Sequence, residues 1–431
     1  MAEFKTVRGM RDFLPEEAKM MKYIEGKARR VAELYGYREI ITPVVEPYEL
    51  LAAKAGEEIR SRMFTFKDLG DRTVALRPEF TASVARLVTT TLRNEPKPLR
   101  LLSIGSVYRY DEPQRGRYRE FWQSNFELMG SDKPEADAEI LMLTQSLMNA
   151  VGLKNYVFKI GHVGILRSIM HSEGLDEKTQ NIVMQLMDKG QYEDAFKTIE
   201  NAGLSDEGTT TLKKLVELKG SEVFEIIKRV KECVKGYKGA LEAAENLNEI
   251  IGLTADSGCG INFTLDAGFA RGLEYYTGMI FEVYVPEQNI ALGGGGRYDK
   301  LVELFGGEPT PAVGVAHGLD RIMLAMQEQR ISLPLDEGIK VMVIPAKSEL
   351  LGKALAISRL LRDAEISTEV EVMGRKMAKA LEDADRKGMD YAIIVGEREI
   401  RENAVAIKNL ATRKQKIIKI EEIINEIKAK I

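Results

Sequence analysis

Leu99-Arg100-Leu101-Leu102-Ser103-Ile104-Gly105-Ser106-Val107-Tyr108-Arg109-Tyr110 and Phe121-Trp122-Gln123-Ser124-Asn125-Phe126-Glu127-Leu128-Met129-Gly130 are two long strand-like runs, joined by the polar, basic connection Asp111 to Glu120. Together they predict an antiparallel hairpin with a long mobile loop. Residues two apart share a face of a strand, so Gln123, Asn125 and Glu127 lie together, opposite Trp122, Ser124, Phe126 and Leu128. The apolar set is expected to fill a core and the polar set to stay accessible. Arg109 ends the first strand, and Arg115, Arg117 and Arg119 follow in the loop. A polar face beside arginines suits an anionic substrate, and loop arginines suit phosphate; the plain alternative is a solvated sheet face.

Upstream, Asp12-Phe13-Leu14-Pro15-Glu16-Glu17 opens a helix of about five turns, with Pro and acids in the first turn and Gly36 at its end. Short β-rich runs follow at Arg38–Ile41, Met63–Phe66 and Thr73–Leu76, then a helical stretch from Pro78 to Leu92. Downstream of the hairpin comes a helix, Pro134–Ala150. From about Gly164 to Leu253 the pattern is helical and charged, punctuated by Gly174, Gly190, Gly203, Gly220 and Gly236, and reads as an insertion of five or so short helices. Strand signals return at Ile261–Leu265, Met279–Val285 and Ile290–Leu292, and small residues open a helix from Gly314 to about Gln329. After the Pro- and Gly-containing linker 333–338, strand and helix alternate through Val395, which predicts a small α/β domain with parallel pairings. The expected division is therefore 1–335, with the insertion at about 164–253, and 338–431.

The composition is that of a soluble globular protein: 431 residues, 62 Lys+Arg against 66 Asp+Glu, 44% hydrophobic and 30% charged. From Gly338 onward 19 basic and 15 acidic residues give +4, leaving −8 of the net −4 on the rest. Two cysteines and three histidines provide neither a disulfide framework nor zinc-ligand spacing. With no secretory pattern at Met-Ala-Glu-Phe-Lys-Thr and no long apolar run, a cytoplasmic protein is expected.

Three further clusters carry chemistry. Gly293-Gly294-Gly295-Gly296-Arg297-Tyr298-Asp299 lacks the Gly-Lys-Ser/Thr of a P-loop and the dinucleotide fingerprint; four glycines ending a strand suit either close backbone approach to a ligand or a tight turn. Asp266 to Gly278 packs Arg271, Tyr275, Tyr276 and three glycines into a turn between strands, where paired tyrosines also serve simple packing. Gly314-Val315-Ala316-His317-Gly318-Leu319-Asp320-Arg321 places an arginine in the first turns of a helix, where a surface ion pair is the ordinary role.

Taken together, the arginine-ended strand with its loop and Phe-x-Gln return strand resembles motif 2 of class II aminoacyl-tRNA synthetases. Gly-x-x-x-Gly-Leu-Asp-Arg resembles their motif 3, and Gly36-Tyr37-Arg38-Glu39-Ile40-Ile41-Thr42-Pro43 their motif 1, whose proline lies at a dimer interface. Arg271 to Gly278 and Gly294 to Asp299 resemble two signatures of the histidyl-tRNA synthetase family, as do Arg8 to Asp12 and Leu76 to Thr81. The resemblance implies an α+β class II fold: an antiparallel-sheet catalytic domain with a helical insertion, plus a C-terminal α/β anticodon-binding domain. It also implies formation of histidyl-adenylate from L-histidine and ATP, then transfer to the 3′-terminal adenosine of the histidine tRNA.

By the motif match, Arg109 contacts the α-phosphate and the histidine carboxylate, Arg321 the γ-phosphate, and Arg271 the reacting carboxylate and α-phosphate, in place of a metal ion. Glu79 and Thr81 bind the α-amino group and Gln123 orients the substrate backbone. Glu127, Tyr275, Tyr276 and Tyr298 form the imidazole pocket, and Asp111 and Arg117 join the ATP site. Mg2+ is implied with ATP, without a permanent protein-only metal site, and the assembly implied is a homodimer with no membrane partner. Glu112 stands where many bacterial relatives carry an arginine that reads the tRNA acceptor end, leaving Gln114 and Arg115 for that task. The readings left beside this one are a non-catalytic regulatory paralogue of ATP phosphoribosyltransferase, an RNA-binding or sensor module with a synthetase-like fold, and a class II enzyme for another amino acid. The first normally lacks the C-terminal domain and loses active-site residues, and both are present here.

Overall fold

A computed structural model of the chain describes residues 4–53, 56–271, 275–288, 290–334 and 338–429. Two compact units result, Met1–Leu333 and Pro334–Ile431. Positions 335–337 of the expected linker, and Gly272, Leu273 and Glu274 of the Arg271 signature, lie outside the described residues. Among the described residues no helix is long and apolar enough to cross a membrane.

The first unit is organised by a nine-stranded sheet. In spatial order its strands are Arg38–Glu39, Leu99–Tyr108, Glu120–Met129, Ala312–Gly318, Ile290–Arg297, Met279–Val285, Val157–His162, Phe263–Asp266 and Lys219–Gly220. All neighbours are antiparallel except the pairs Arg38–Glu39 with Leu99–Tyr108 and Val157–His162 with Phe263–Asp266. The hairpin closes in continuous register, Gln123 opposite Gly105 and Glu127 opposite Leu101. Helix Pro15–Leu34 starts with Pro15, Glu16 and Glu17 and buries Met21, Ile24, Ala28 and Val31, three or four residues apart, against this unit's core. Gly36, at φ +75°, turns the chain out of it. It packs with helices Pro134–Ala150 and Leu319–Glu328, and Lys238–Asp256 packs on Pro134–Ala150. The charged region expected as an insertion holds six helices, Val163–Ser172 to Lys238–Asp256, whose apolar faces join the core of the unit.

Three expectations are corrected. The stretch Gly314–His317 does not open a helix: Ala312–Gly318 is a strand between two others, and the helix begins at Leu319. Nor do the four glycines end a strand; they sit inside Ile290–Arg297, paired on both sides. And the face bearing Gln123, Asn125 and Glu127 is not open to bulk solvent: the three are 7%, 1% and 2% exposed, and Gln123 and Glu127 line a cavity instead.

The second unit is a five-stranded sheet in the order Ser367–Val370, Lys340–Pro345, Tyr391–Val395, Ala404–Asn409, Gln415–Lys419. Its first three strands are parallel, as the alternation predicts. The last two are antiparallel additions beyond Val395, so the sheet is mixed. Helices Leu351–Asp363 and Met377–Arg386 belong to its two apolar clusters.

Candidate active site

A cavity of about 390 Å³ opens on the polar face of the nine-stranded sheet. It is lined by Glu79, Thr81, Arg109, Asp111, Arg117, Gln123, Glu127, Arg271, Tyr275, Tyr276, Tyr298 and Arg321, so residues more than two hundred positions apart in the chain converge on one space. Gln114 and Arg115 are not among the lining residues. Gln114 and Arg117 exchange backbone hydrogen bonds of 3.1 and 2.8 Å in a tight turn, and Arg115 pairs with Glu328 at 2.6 Å. Glu112 is paired with Arg8.

One end of the cavity is a carboxylate cradle. Thr81 Oγ1 donates to Glu127 Oε1 at 2.8 Å and Tyr298 Oη donates to Oε2. Burial pushes the Glu127 carboxyl up to about 7, against the pull of the Tyr298 and Thr81 hydroxyls. Glu79, also buried, accepts from Tyr275 Oη at 3.3 Å; burial raises its carboxyl, opposed first by Arg109. The Tyr275 ring lies 4.9 Å from Tyr276 and 5.6 Å from Tyr298, so three phenols wall the cradle. Gln123 Oε1, on a residue that lines the cavity, is buried without a hydrogen-bond partner, which leaves polar capacity there for a ligand or water.

The cradle is braced from behind. Arg297, next to Tyr298, forms a buried ion pair with Asp137, with Nε at 3.1 and 3.0 Å from its two oxygens, and donates to Asp299 Oδ1 at 3.0 Å. Burial lifts Asp137 to about 6 in spite of that guanidinium. The Asp299 backbone N–H donates to Thr277 Oγ1 at 3.0 Å, which ties the tyrosine segment to the glycine strand. Arg77 donates to the Thr42 and Ser106 carbonyls at 2.8 and 3.0 Å and stacks on Phe80, fixing the turn that delivers Glu79 and Thr81.

The other end is cationic. Arg109 Nε donates to the Pro78 carbonyl at 2.9 Å; Arg321 donates to the Gly116 and Ala291 carbonyls at 3.3 and 3.0 Å; Arg271 donates to the Phe281 carbonyl at 3.3 Å and lies 3.6 Å from Glu282. Neutral carbonyls orient all three guanidiniums, and Glu282 offsets part of the charge at Arg271. Burial lowers the Arg321 pKa, and Arg117, Arg109 and Arg271 lower it further against the pull of Glu282, so the arginines of the cluster repel one another. Such a focus of positive charge stabilises an anion placed within it. The glycine strand makes room for the cluster: a Cβ on Gly294 would fall 2.8 Å from Arg271 Cζ.

Several residues of the site went unread in the sequence. Asp320 and Tyr118 line the cavity, and Arg11 holds both. Glu282 lies beside Arg271. Glu58, Arg62 and Asp188 stand at the rim, and Arg62 pairs with Asp111 and Glu58, each at 2.9 Å. A pair such as Arg11 and Asp320, 309 positions apart, has no local signal.

His162 and His317 play no part in the cavity lining. Burial depresses them to about 4 and about 3; His162 Nδ1 caps a helix by accepting from Gly164, and His317 lies between Ser124 and Thr144.

An antiparallel sheet with a motif 2 hairpin, a motif 3 strand and helix, and an arginine-lined cavity on its polar face defines a class II aminoacyl-tRNA synthetase. The family model of histidyl-tRNA synthetase matches residues 9–322, and that of the anticodon binding domain residues 340–430. A histidine–tRNA ligase of Methanocaldococcus jannaschii is 42% identical over 98% of this chain and 99% of its own, and one of Saccharolobus solfataricus 39% over 99% of each. The crystal structure of the Nostoc histidyl-tRNA synthetase superposes with a TM-score of 0.78 at 25% identity, covering all of both chains. The chain belongs to the histidyl-tRNA synthetase family, the ATP-dependent histidine–tRNA ligases.

Proposed function

We propose that the cavity makes histidyl-adenylate and then charges tRNA through the named residues. The observation that carries this is the meeting of the Arg109, Arg271 and Arg321 guanidiniums with the Glu127 cradle in one space. A histidine carboxylate oxygen attacks the α-phosphorus, the α–β bridging bond breaks, and pyrophosphate leaves. Negative charge spreads over the phosphate oxygens as it does so, and fixed cations are worth most there. Arg109 and Arg271 flank the reacting carboxylate and α-phosphate, while Arg321, with Arg117 and Asp111 near, holds the far phosphates. Glu79 and Thr81 take the α-amino group and Gln123 the substrate backbone. A hydroxyl of the terminal adenosine of the histidine tRNA then attacks the acyl carbon, and AMP departs.

Glu127 and the tyrosines select the side chain. Thr81 and Tyr298 already donate to Glu127, and a ligand that cannot add a further hydrogen bond leaves this buried carboxylate under-satisfied in a site built to accept one, a penalty that discriminates by about 10⁴ or more. Mg2+ enters with ATP on the phosphates. Glu282, a cavity acid, lies 3.6 Å from Arg271, and among the described residues no group of three or more His, Cys, Asp or Glu is placed to hold an ion.

The catalytic region is 1–335, with the insertion at about 164–253, and 338–431 reads the anticodon; Gln114 and Arg115, on the loop outside the cavity, are left for the acceptor end. Exposed Ile41, 93% accessible, with Val44, Val45 and Phe66 also exposed around the three-stranded sheet formed by Val45–Pro47, Thr73–Leu76 and Thr65–Lys67, supports a homodimer. It acts in the cytoplasm, where its tRNA is charged. The residue assignment is tested by Arg271→His. Adenylate formation at saturating substrates is expected to slow by about 10²–10³ with little change in ATP affinity. A parental rate would remove Arg271 from the reaction.

A further inference from the structure

We propose that Arg11 is a positioning residue of the ATP subsite, acting on Arg321 through Asp320, which is anchored on the Trp122 backbone N–H. Arg11 Nη2 donates to Asp320 Oδ1 at 2.6 Å and Nη1 to Tyr118 Oη at 2.8 Å. Its guanidinium carbon lies over two rings, 4.0 Å from the centroid of Tyr118 and 4.5 Å from that of Phe13. Asp320 is 3% exposed, and its other oxygen accepts the backbone N–H of Trp122 at 2.6 Å. A single carboxylate therefore joins the residue before Arg321 on the helix to the residue before Gln123 on the strand, and Arg11 supplies its countercharge.

The segment around Arg11 is itself pinned across the loop. Gly9 accepts from the Arg119 N–H at 2.7 Å, and a Cβ on Gly9, whose φ is +83°, would fall 2.7 Å from Arg119 Cγ. Phe13 meets Trp122 edge to face at 5.2 Å. Arg321 needs such bracing, because its own hydrogen bonds go to two carbonyls and its neighbours Arg109, Arg117 and Arg271 repel it. Burial raises the Asp320 carboxyl, and the Trp122 N–H and Arg11 pull it back. Without Arg11 the carboxylate is partly stripped of compensation and the helix start loses its register on the strand. The imidazole cradle is held by other groups, Thr81, Tyr298 and the Arg297 pair, so the two substrates separate the effect.

This inference rests on the adenylation reading. The test uses the full chain with Arg11→Gln and Arg11→Lys, following histidine-dependent pyrophosphate exchange and, separately, calorimetric binding of ATP and of histidine. Arg11→Gln is expected to raise the KM for ATP by about ten-fold and lower kcat, with the histidine KM within about two-fold. Arg11→Lys recovers only part of the loss, since an ammonium cannot make the planar two-pronged contact. In an Asp320→Asn background Arg11→Gln should add little, because the two act as a unit. Equal changes in both KM values, full additivity, or lower thermal stability with an unchanged ATP KM would overturn the proposal. Where Arg11→Gln does not fold, Arg11→Lys is read by the same split. If the parent chain binds ATP but supports no histidine-dependent exchange, the adenylation reading falls; a ten-fold weaker ATP affinity in Arg11→Gln would still uphold the bracing role.

Discussion

Gly294→Ala isolates the Arg271 geometry from the stability of the sheet. A Cβ at this position would lie 2.8 Å from Arg271 Cζ and nearer still to Nη1. Ordinary contact begins near 3.4 Å, so Cζ must retreat by at least 0.6 Å (3.4 minus 2.8) and Nη1 by more. The obstacle is the end of a flexible side chain, so the strand tolerates the change while the guanidinium leaves its place. A displacement of order 1 Å in a group aligned with the reacting atoms costs about 10²-fold in rate, or about 2.7 kcal/mol of barrier. Rapid-quench measurement of adenylate at saturating histidine and ATP should show that loss, with a urea midpoint close to the parent's. Gly295→Ala is the contrast: its Cβ would fall 2.8 Å from Val315 Cα and closer to the Gly314 carbonyl oxygen, backbone atoms that cannot step aside. That variant should lose stability by about 1–3 kcal/mol. A parental adenylation rate in Gly294→Ala, or a stability loss matching that of Gly295→Ala with an unchanged rate per folded molecule, would refute the argument.

Other outcomes follow from the same geometry. Glu127 is held up to about 7, so it is neutral below that pH and anionic above it; histidine affinity should rise as pH increases through 7, and Glu127→Gln should bind more weakly with that part of the pH dependence gone, as calorimetry would register. Asp137→Asn leaves the 6%-exposed Arg297 without its buried carboxylate and should cost about 3–5 kcal/mol in denaturant unfolding. Removing the residues from Gly338 onward, which form apolar clusters of their own, should spare pyrophosphate exchange while sharply weakening aminoacylation at limiting tRNA.

Much of this site is legible in the sequence because its residues sit on strands whose parity is readable. Gln123 and Glu127 do share a face, Arg109 does follow the first strand, and the helices Pro15–Leu34 and Pro134–Ala150 begin at their prolines. What parity cannot tell is whether a polar face meets water or a second layer. Here Thr81 and Tyr298 reach Glu127 from distant parts of the chain and bury it. The glycine stretches mislead for a related reason. Gly293–Gly296 and Gly314 carry no side chain to announce a strand, yet their backbones pair in the sheet, and they are glycines because Arg271, Glu127 and the facing backbones leave no space for a Cβ. The Arg11–Asp320–Trp122 clamp and the approach of Asp188 from the insertion depend on tertiary folding alone. Past Val395, Ala404–Asn409 and Gln415–Lys419 turn a parallel sheet into a mixed one.

The most direct test of the central claim is exchange of labelled pyrophosphate into ATP, measured with each of the standard amino acids in turn. Histidine alone should support exchange, at least about 10⁴-fold above the others, because only its ring satisfies the Glu127 cradle. Equal exchange with another amino acid, or none with histidine, would contradict the account.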